Sequence, residues 1–209
     1  MEADYKIKII LCGDSGVGKS TFFNRLKYDN NNLEITPTIG VDFLTINHVY
    51  KDKRIKLHVW DTAGEERYRA IISSYFKDIS ACIIMFDLTN IKSLESVKYW
   101  VSIANKYSSC DHHHPIFLFG NKKDLNYNKQ LISENIINKY IRENNILYYD
   151  AISSIDCSFD NDIFINFLID IIISKLDHMC NGITSPHNNS IKLHSLIKKD
   201  KPKNCCLFM

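Results

Sequence analysis

Along the chain, short apolar runs take turns with stretches of helical period from the amino end to about residue 178. The runs Lys6–Cys12, Val41–Tyr50, Lys53–Asp61, Ala81–Asp87, Ile116–Gly120 and Ile146–Ala151 have the length and the β-branched content of strands. Apolar residues recur at helical spacing over Lys19–Lys27, Ser93–Tyr107, Ser133–Glu143 and Asn161–Asp177, with a shorter helix expected around Arg67–Phe76. Strands alternating with helices predict an α/β fold in which helices cover both faces of a mostly parallel sheet. Only Lys51-Asp52 separates the second and third strands, which predicts a hairpin and one antiparallel edge strand in a six-stranded sheet.

Composition adds a boundary. The 209 residues, 45% of them hydrophobic, suffice for one packed domain, read as residues 1–179. Residues 180–209 lack an apolar period, are rich in Asn, Ser, His and Lys, and contain Pro186 and Pro202, which predicts a flexible tail. Within it Lys192, Lys198, Lys199, Lys201 and Lys203 face one acid, Asp200, while the whole chain carries only +2. That mild total argues against nucleic acid as a partner, and the local excess points elsewhere.

The amino end, Met1-Glu2-Ala3-Asp4, has no basic region of a secretion signal, and Glu2 excludes N-myristoylation. The apolar stretch Ile163–Ile173 is interrupted by Asn166 and Asp170 and falls short of the roughly 20 residues of a membrane span. Cysteines 12, 82, 110, 157, 180, 205 and 206 show no disulfide or zinc spacing, so a reducing cytosol is expected, with Cys12 and Cys82 as small core residues. His112-His113-His114 is read as a solvated loop, because adjacent histidines do not easily face one ion. His178, Cys180, His187 and His194 carry no recognised metal spacing.

Chemistry enters directly after the first strand. Gly13-Asp14-Ser15-Gly16-Val17-Gly18-Lys19-Ser20 fills the phosphate-loop pattern G-x-x-x-x-G-K-[ST] between a strand and a helix. Its glycines let the backbone N–H groups from Ser15 to Thr21 turn toward a β-phosphate, Lys19 reaches the β- and γ-oxygens, and the Ser20 hydroxyl is free for Mg²⁺. The helix beginning at Lys19 points its positive dipole end at the same anion. Alone, the loop fits ATP and GTP enzymes equally.

Further segments narrow it: Thr36-Pro37-Thr38-Ile39-Gly40, Trp60-Asp61-Thr62-Ala63-Gly64-Glu65-Glu66, Phe119-Gly120-Asn121-Lys122-Lys123-Asp124 and Ile152-Ser153-Ser154. With the phosphate loop they resemble the small Ras-like GTPases over residues 6 to about 178, most closely the Rab branch. The resemblance implies a single P-loop G domain that cycles between GDP and GTP, uses Mg²⁺ and hydrolyses GTP to GDP and phosphate. It implies Thr38 and Ser20 as metal ligands, Asp61 as a ligand through water, and the Gly64 N–H on the γ-phosphate. The Asp124 carboxylate accepts from guanine N1–H and the exocyclic amine, a donor pair adenine lacks. Asn121 belongs to the same motif, Lys122 is expected along the base and bracing the phosphate loop, and the N–H of Ser153, followed by Ser154, is expected to reach guanine O6.

Ile39-Gly40-Val41-Asp42-Phe43, Lys56-Leu57-His58-Val59-Trp60, Arg67-Tyr68-Arg69-Ala70-Ile71, Ser73-Ser74-Tyr75-Phe76 and Phe86-Asp87-Leu88-Thr89 resemble the segments diagnostic of Rab proteins. Phe43, Trp60 and Tyr75 match an aromatic triad that effectors read, although ordinary sheet-to-helix packing also fits them. Cys205-Cys206-Leu207-Phe208-Met209 fits prenylation, of both cysteines or of Cys206 alone, the terminal Met favouring farnesyl. One lipid gives marginal residence, so the lysine-rich tail or a second lipid completes a tether. The resemblance thus implies a monomeric switch in vesicle trafficking, on the cytosolic face of an intracellular membrane and cycling with the cytosol. Its implied partners are an exchange factor, a GTPase-activating protein, effectors and a prenyl-binding chaperone.

Three positions depart from the family. Glu65 stands where a Gln usually orients the attacking water, and a carboxylate does not donate as an amide does. A nucleotide-binding switch with little unaided hydrolysis is therefore the alternative, and an ATP-dependent phosphotransferase the more distant rival. Asn31 replaces the usual aromatic at the base edge, with Tyr28 nearby, and the Lys that usually follows at Ser154 is missing. Faster nucleotide exchange than the family norm is expected from both.

Overall fold

A computed structural model describes residues 3–27, 38, 40–64, 73–106, 114–127, 131–155 and 160–180. Six strands form one sheet: β1 (Tyr5–Cys12), β2 (Val41–Tyr50), β3 (Lys53–Thr62), β4 (Ala81–Asp87), β5 (Ile116–Asn121) and β6 (Tyr148–Ala151). Their order across the sheet is β2-β3-β1-β4-β5-β6, and only the β2–β3 pair is antiparallel, which places the odd strand at the edge as the hairpin spacing predicts. Helices α1 (Lys19–Lys27), α2 (Ile91–Glu95), α3 (Val97–Lys106), α4 (Glu134–Glu143) and α5 (Asn161–Cys180) connect or flank the strands, with 3₁₀ turns at Ser73–Phe76 and Lys123–Tyr127.

Strand alternation divides the core in two. Ile7, Ile9 and Leu11 of β1 point to one face, where Phe22 and Phe23 of α1 meet Phe164, Leu168 and Ile172 of α5. Ile10 and Cys12 point to the other, where Leu94, Val97, Trp100 and Ile137 from α2, α3 and α4 close over them. β4 and β5 are buried along their whole length, as strands covered on both faces must be. Cys12 and Cys82 lie in this core with their sulfurs 3.6 Å apart.

The differences from expectation are local. A single helix over Ser93–Tyr107 is instead α2 and α3, meeting at Ser96, whose hydroxyl bonds back to the Lys92 carbonyl at 3.2 Å. The start moves back to Ile91 because the Asn90 side chain accepts the Lys92 N–H at 3.1 Å and caps the helix. β6 begins at Tyr148 rather than Ile146. Of the helix expected around Arg67–Phe76, the described part is the 3₁₀ turn Ser73–Phe76, and residues 65–72 lie outside the described set. His114, expected on a solvated loop, is instead 8% exposed, in the segment that leads into the buried β5.

Candidate functional site

Ligands of open α/β sheets bind beyond the carboxyl ends of the strands, and the ends of β1, β3 and β5 converge here on one cleft of about 430 Å³. Its walls include Ser15, Gly16, Gly18, Lys19, Ser20 and Thr21 from the loop and α1, Thr38 ahead of β2, Thr62 and Gly64 at the end of β3, and Asn121, Lys122, Asp124 and Ser154 from the ends of β5 and β6. Thus twelve of the fourteen residues expected to touch nucleotide meet in one cavity of a size ordinary for small-molecule ligands. The two others are Val17, whose side chain is buried in the core, and Ser153. Leu125 and Ile155 line the cleft without having been singled out in the sequence; two apolar residues in turns carry no motif.

The phosphate loop gets its shape from glycine. Gly13, Gly16 and Gly18 have φ of 139°, 75° and 98°, and a Cβ on Gly13 would stand 2.2 Å from the Met85 carbonyl oxygen. Gly64 approaches from the far side so closely that a Cβ would lie 2.4 Å from the Asp14 carbonyl carbon and the Ser15 nitrogen. Lys19 is nearly buried, donates to the Asp14 carbonyl at 2.8 Å, and has its pKa lowered by that burial against the pull of Asp61. The lysine of the phosphate-loop pattern therefore sits in a dry, preorganised place.

Oxygens from three segments gather at the mouth of α1. Ser20 Oγ donates to Asp61 Oδ2 at 2.6 Å, Thr38 Oγ1 reaches the same oxygen at 3.3 Å, and the two hydroxyls are hydrogen-bonded to each other. Burial pushes the Asp61 carboxyl up to about 6, although Ser20, the Lys19 charge and Thr38 pull the other way. Its second oxygen, Oδ1, is buried and has no hydrogen-bond partner among the described residues. A hard-oxygen set with a desolvated carboxylate and an orphaned oxygen fits Mg²⁺, which takes few protein ligands and keeps waters.

On the opposite side the strand end of β5 organises the base-reading turn. Asn121 is buried; its Nδ2 donates to the Val17 carbonyl at 2.8 Å, and its Oδ1 accepts from the Ser154 N–H at 2.9 Å and the Ser154 hydroxyl at 3.0 Å. Through Val17, Asn121 braces the phosphate loop. Lys122, at φ 68°, pairs its ammonium with Asp87 Oδ2 at 2.7 Å. Ser153 donates from its hydroxyl to Asp124 Oδ1 at 2.6 Å and accepts the Ile155 N–H at 3.3 Å, so it orients the carboxylate from beside the cleft.

Phe43, Trp60 and Tyr75 come together as expected from their positions, with Phe43–Trp60 centroids 4.6 Å apart and Trp60–Tyr75 centroids 5.3 Å apart. Phe43 leaves 43% of its surface exposed and stacks on His58 at 5.4 Å. Lys8 stands 5.7 Å over the Trp60 ring and donates to the Lys77 carbonyl at 2.6 Å, tying the sheet to the turn that carries Tyr75. Glu65, Asn31, Tyr28, Cys205 and Cys206 lie outside the described residues. Among the described residues no helix is long and apolar enough to cross a membrane, and no group of three or more His, Cys, Asp or Glu is placed to hold a metal.

The Ras family sequence profile matches residues 8–172. The GTP-binding protein ypt3 of Schizosaccharomyces pombe is 34% identical over 213 aligned residues, covering 98% of each chain. The Ras-related protein RABA6b of Arabidopsis thaliana is 31% identical over 98% of this chain and 96% of its own. A probable Rab-related GTPase of Acanthamoeba polyphaga mimivirus is 34% identical over 95% of this chain and 92% of its own.

Proposed function

This chain belongs to the Ras family, with Rab-named relatives along nearly its whole length, and from that premise we propose a membrane-tethered Rab-type switch that recruits effectors according to its bound nucleotide. It is a GTP hydrolase that binds GTP and GDP and uses Mg²⁺. The observation that carries the fuller reading is the convergence of Lys19, Ser20, Thr38, Asp61, Gly64, Asn121 and Asp124 around a single cleft.

In this reading Lys19 and the N–H groups from Ser15 to Thr21 grip the phosphates, Asp124, held by Ser153, accepts from guanine, and Gly64 offers its N–H to the γ-phosphate. Ser20, Thr38 and Asp61 would hold Mg²⁺, and the ion would supply charge neutralisation at the phosphate oxygens. Thr38 has a ligand's place only when a γ-phosphate is present, so its segment orders with triphosphate and Phe43, Trp60 and Tyr75 are read differently in the two states. Cys205 and Cys206 carry lipid, and the tail lysines add attraction to an anionic leaflet.

Competition binding tests the central claim. Labelled GDP is expected to be displaced by GTP but not by ATP, and tight ATP binding without GTP competition would sink the guanine assignment. Glu65 favours a second reading, a switch that hydrolyses little on its own. Single-turnover hydrolysis of the wild type and of Glu65→Gln separates the two: a wild type inert even with an activating protein leaves only the switch. Intact mass and membrane fractionation of the cellular protein check the tether, and a wholly soluble, unmodified chain overturns it.

A further inference from the structure

Asp14 is a phosphate-loop residue to which this reading gives no role, yet three parts of the fold meet on it. Its carboxylate accepts the Trp100 indole N–H at 3.0 Å. Its own carbonyl accepts the Lys19 ammonium at 2.8 Å. Gly64 packs behind the Asp14–Ser15 peptide with no room for a methyl group. Trp100 is a fixed point for these contacts, because it is 1% exposed in the core between α3 and the sheet, among Cys12, Ala63, Phe76 and Val97. A hydrogen bond from an immobilised donor to a carboxylate is among the stronger and more directional ones a protein makes.

We infer that Trp100 is a positioning residue for the nucleotide site. By holding Asp14 it sets the tilt of the Asp14–Ser15 peptide, one side of which anchors Lys19 while the other is the surface on which Gly64 rests. The distance between the phosphate lysine and the segment that meets the γ-phosphate is therefore fixed from α3, a helix that contributes no residue to the cleft walls described above. GDP uses only the Lys19 side of this peptide, whereas GTP uses both. Losing the Trp100–Asp14 bond weakens the hold on GTP more than the hold on GDP. The inference rests on the guanine-nucleotide assignment of the cleft.

The test measures release of a fluorescent GDP and of a fluorescent, non-hydrolysable GTP analogue from the full chain carrying Trp100→Phe, Asp14→Ala, both together, or Asp14→Asn, with a melting curve for each. Trp100→Phe and Asp14→Ala are each expected to release the GTP analogue roughly tenfold faster and GDP only a few-fold faster, the range for one charge-assisted hydrogen bond. The double variant is expected to be no worse than either single one, since both remove the same bond. Asp14→Asn keeps an acceptor without the charge and is expected to fall between wild type and Asp14→Ala. Should Trp100→Phe fail to fold, Asp14→Ala, at a half-buried loop position, still decides. Additive effects in the double variant, equal acceleration of both nucleotides in step with lost melting temperature, or an Asp14→Asn variant as impaired as Asp14→Ala would overturn the inference. A wild type that binds no guanine nucleotide refutes the assignment of the cleft, whereas normal wild-type binding with unchanged variants refutes only the role of Trp100.

Discussion

Two residues show how closely the site depends on single atoms. Asn121 closes three hydrogen bonds that join the phosphate loop, through Val17, to the turn after β6, through Ser154, and Gly18 leaves it space because a Cβ there would stand 2.2 Å from its Nδ2. Asn121→Ala strands a buried carbonyl and a buried N–H, so stability in urea is expected to fall by about 2–4 kcal/mol, with GDP release accelerated alongside. Gly64→Ala meets backbone atoms at 2.4 Å that no side-chain rotation relieves, and GTP affinity is expected to drop well over tenfold while GDP binding survives; titration of both nucleotides checks the difference. Motif spacing made Gly64, Asn121 and Asp124 legible in the sequence. The partners were not legible: that Asn121 braces the loop and Lys122 pairs with Asp87, and that Ser153 stands beside Asp124 while Ser154 and Ile155 face the cleft, depend on how turns from distant segments are superposed.

At the scale of elements, the β2–β3 hairpin was readable because two polar residues separate two apolar runs, yet its turn is made by residues poorly suited to it. Lys51 and Asp52 have φ of 47° and 62°, the left-handed pair that a tight hairpin requires and that Asn-Gly adopts more readily. Lys51 gains partners in return, lying 2.9 Å from Asp170 of α5 and 4.8 Å over the Tyr50 ring, although so exposed a pair adds little. Asp52 has no such compensation in its backbone conformation, so Asp52→Gly is expected to raise stability by about 0.5–1 kcal/mol in urea unfolding. At the start of β3, just past this turn, hydrogen bonds from the Arg54 side chain and backbone hold the Asp4 carboxyl down to about 2. A carboxylate depressed in the folded state stabilises it above the usual pKa, and that contribution fades as pH falls from about 4 through 2. The melting temperature of Asp4→Asn is therefore expected to lie below that of wild type at neutral pH and to merge with it near pH 2, a convergence that acid melting curves would show. The break at Ser96 escaped the sequence because helical period runs through it; a hydroxyl bonding to a carbonyl four residues earlier leaves no mark in a hydrophobic pattern.

Over the whole molecule, a sheet covered on both faces carries its chemistry at one end, where β1, β3 and β5 stop, while the sequence of residues 181–209 lacks the apolar period of a packed element. Chains ending at residue 180 are accordingly expected to melt and to bind GDP as the full chain does, and to lose co-flotation with anionic vesicles when compared with the lipidated protein. Retained vesicle binding by the truncated chain would shift the tether to the folded part. The order of elements, the antiparallel edge, the nucleotide class and most of the residues that line the cleft were determined by the sequence itself, because period, turn spacing and phosphate-loop chemistry are local properties of consecutive residues. Tertiary structure alone decided which distant atoms touch: Trp100 on Asp14, Asn121 on Val17, Gly64 against the loop, and the merging of Phe43, Trp60 and Tyr75 into one surface. Such contacts join residues up to 104 positions apart, and their distances are fixed by the packing of strands and helices, to which no stretch of sequence corresponds.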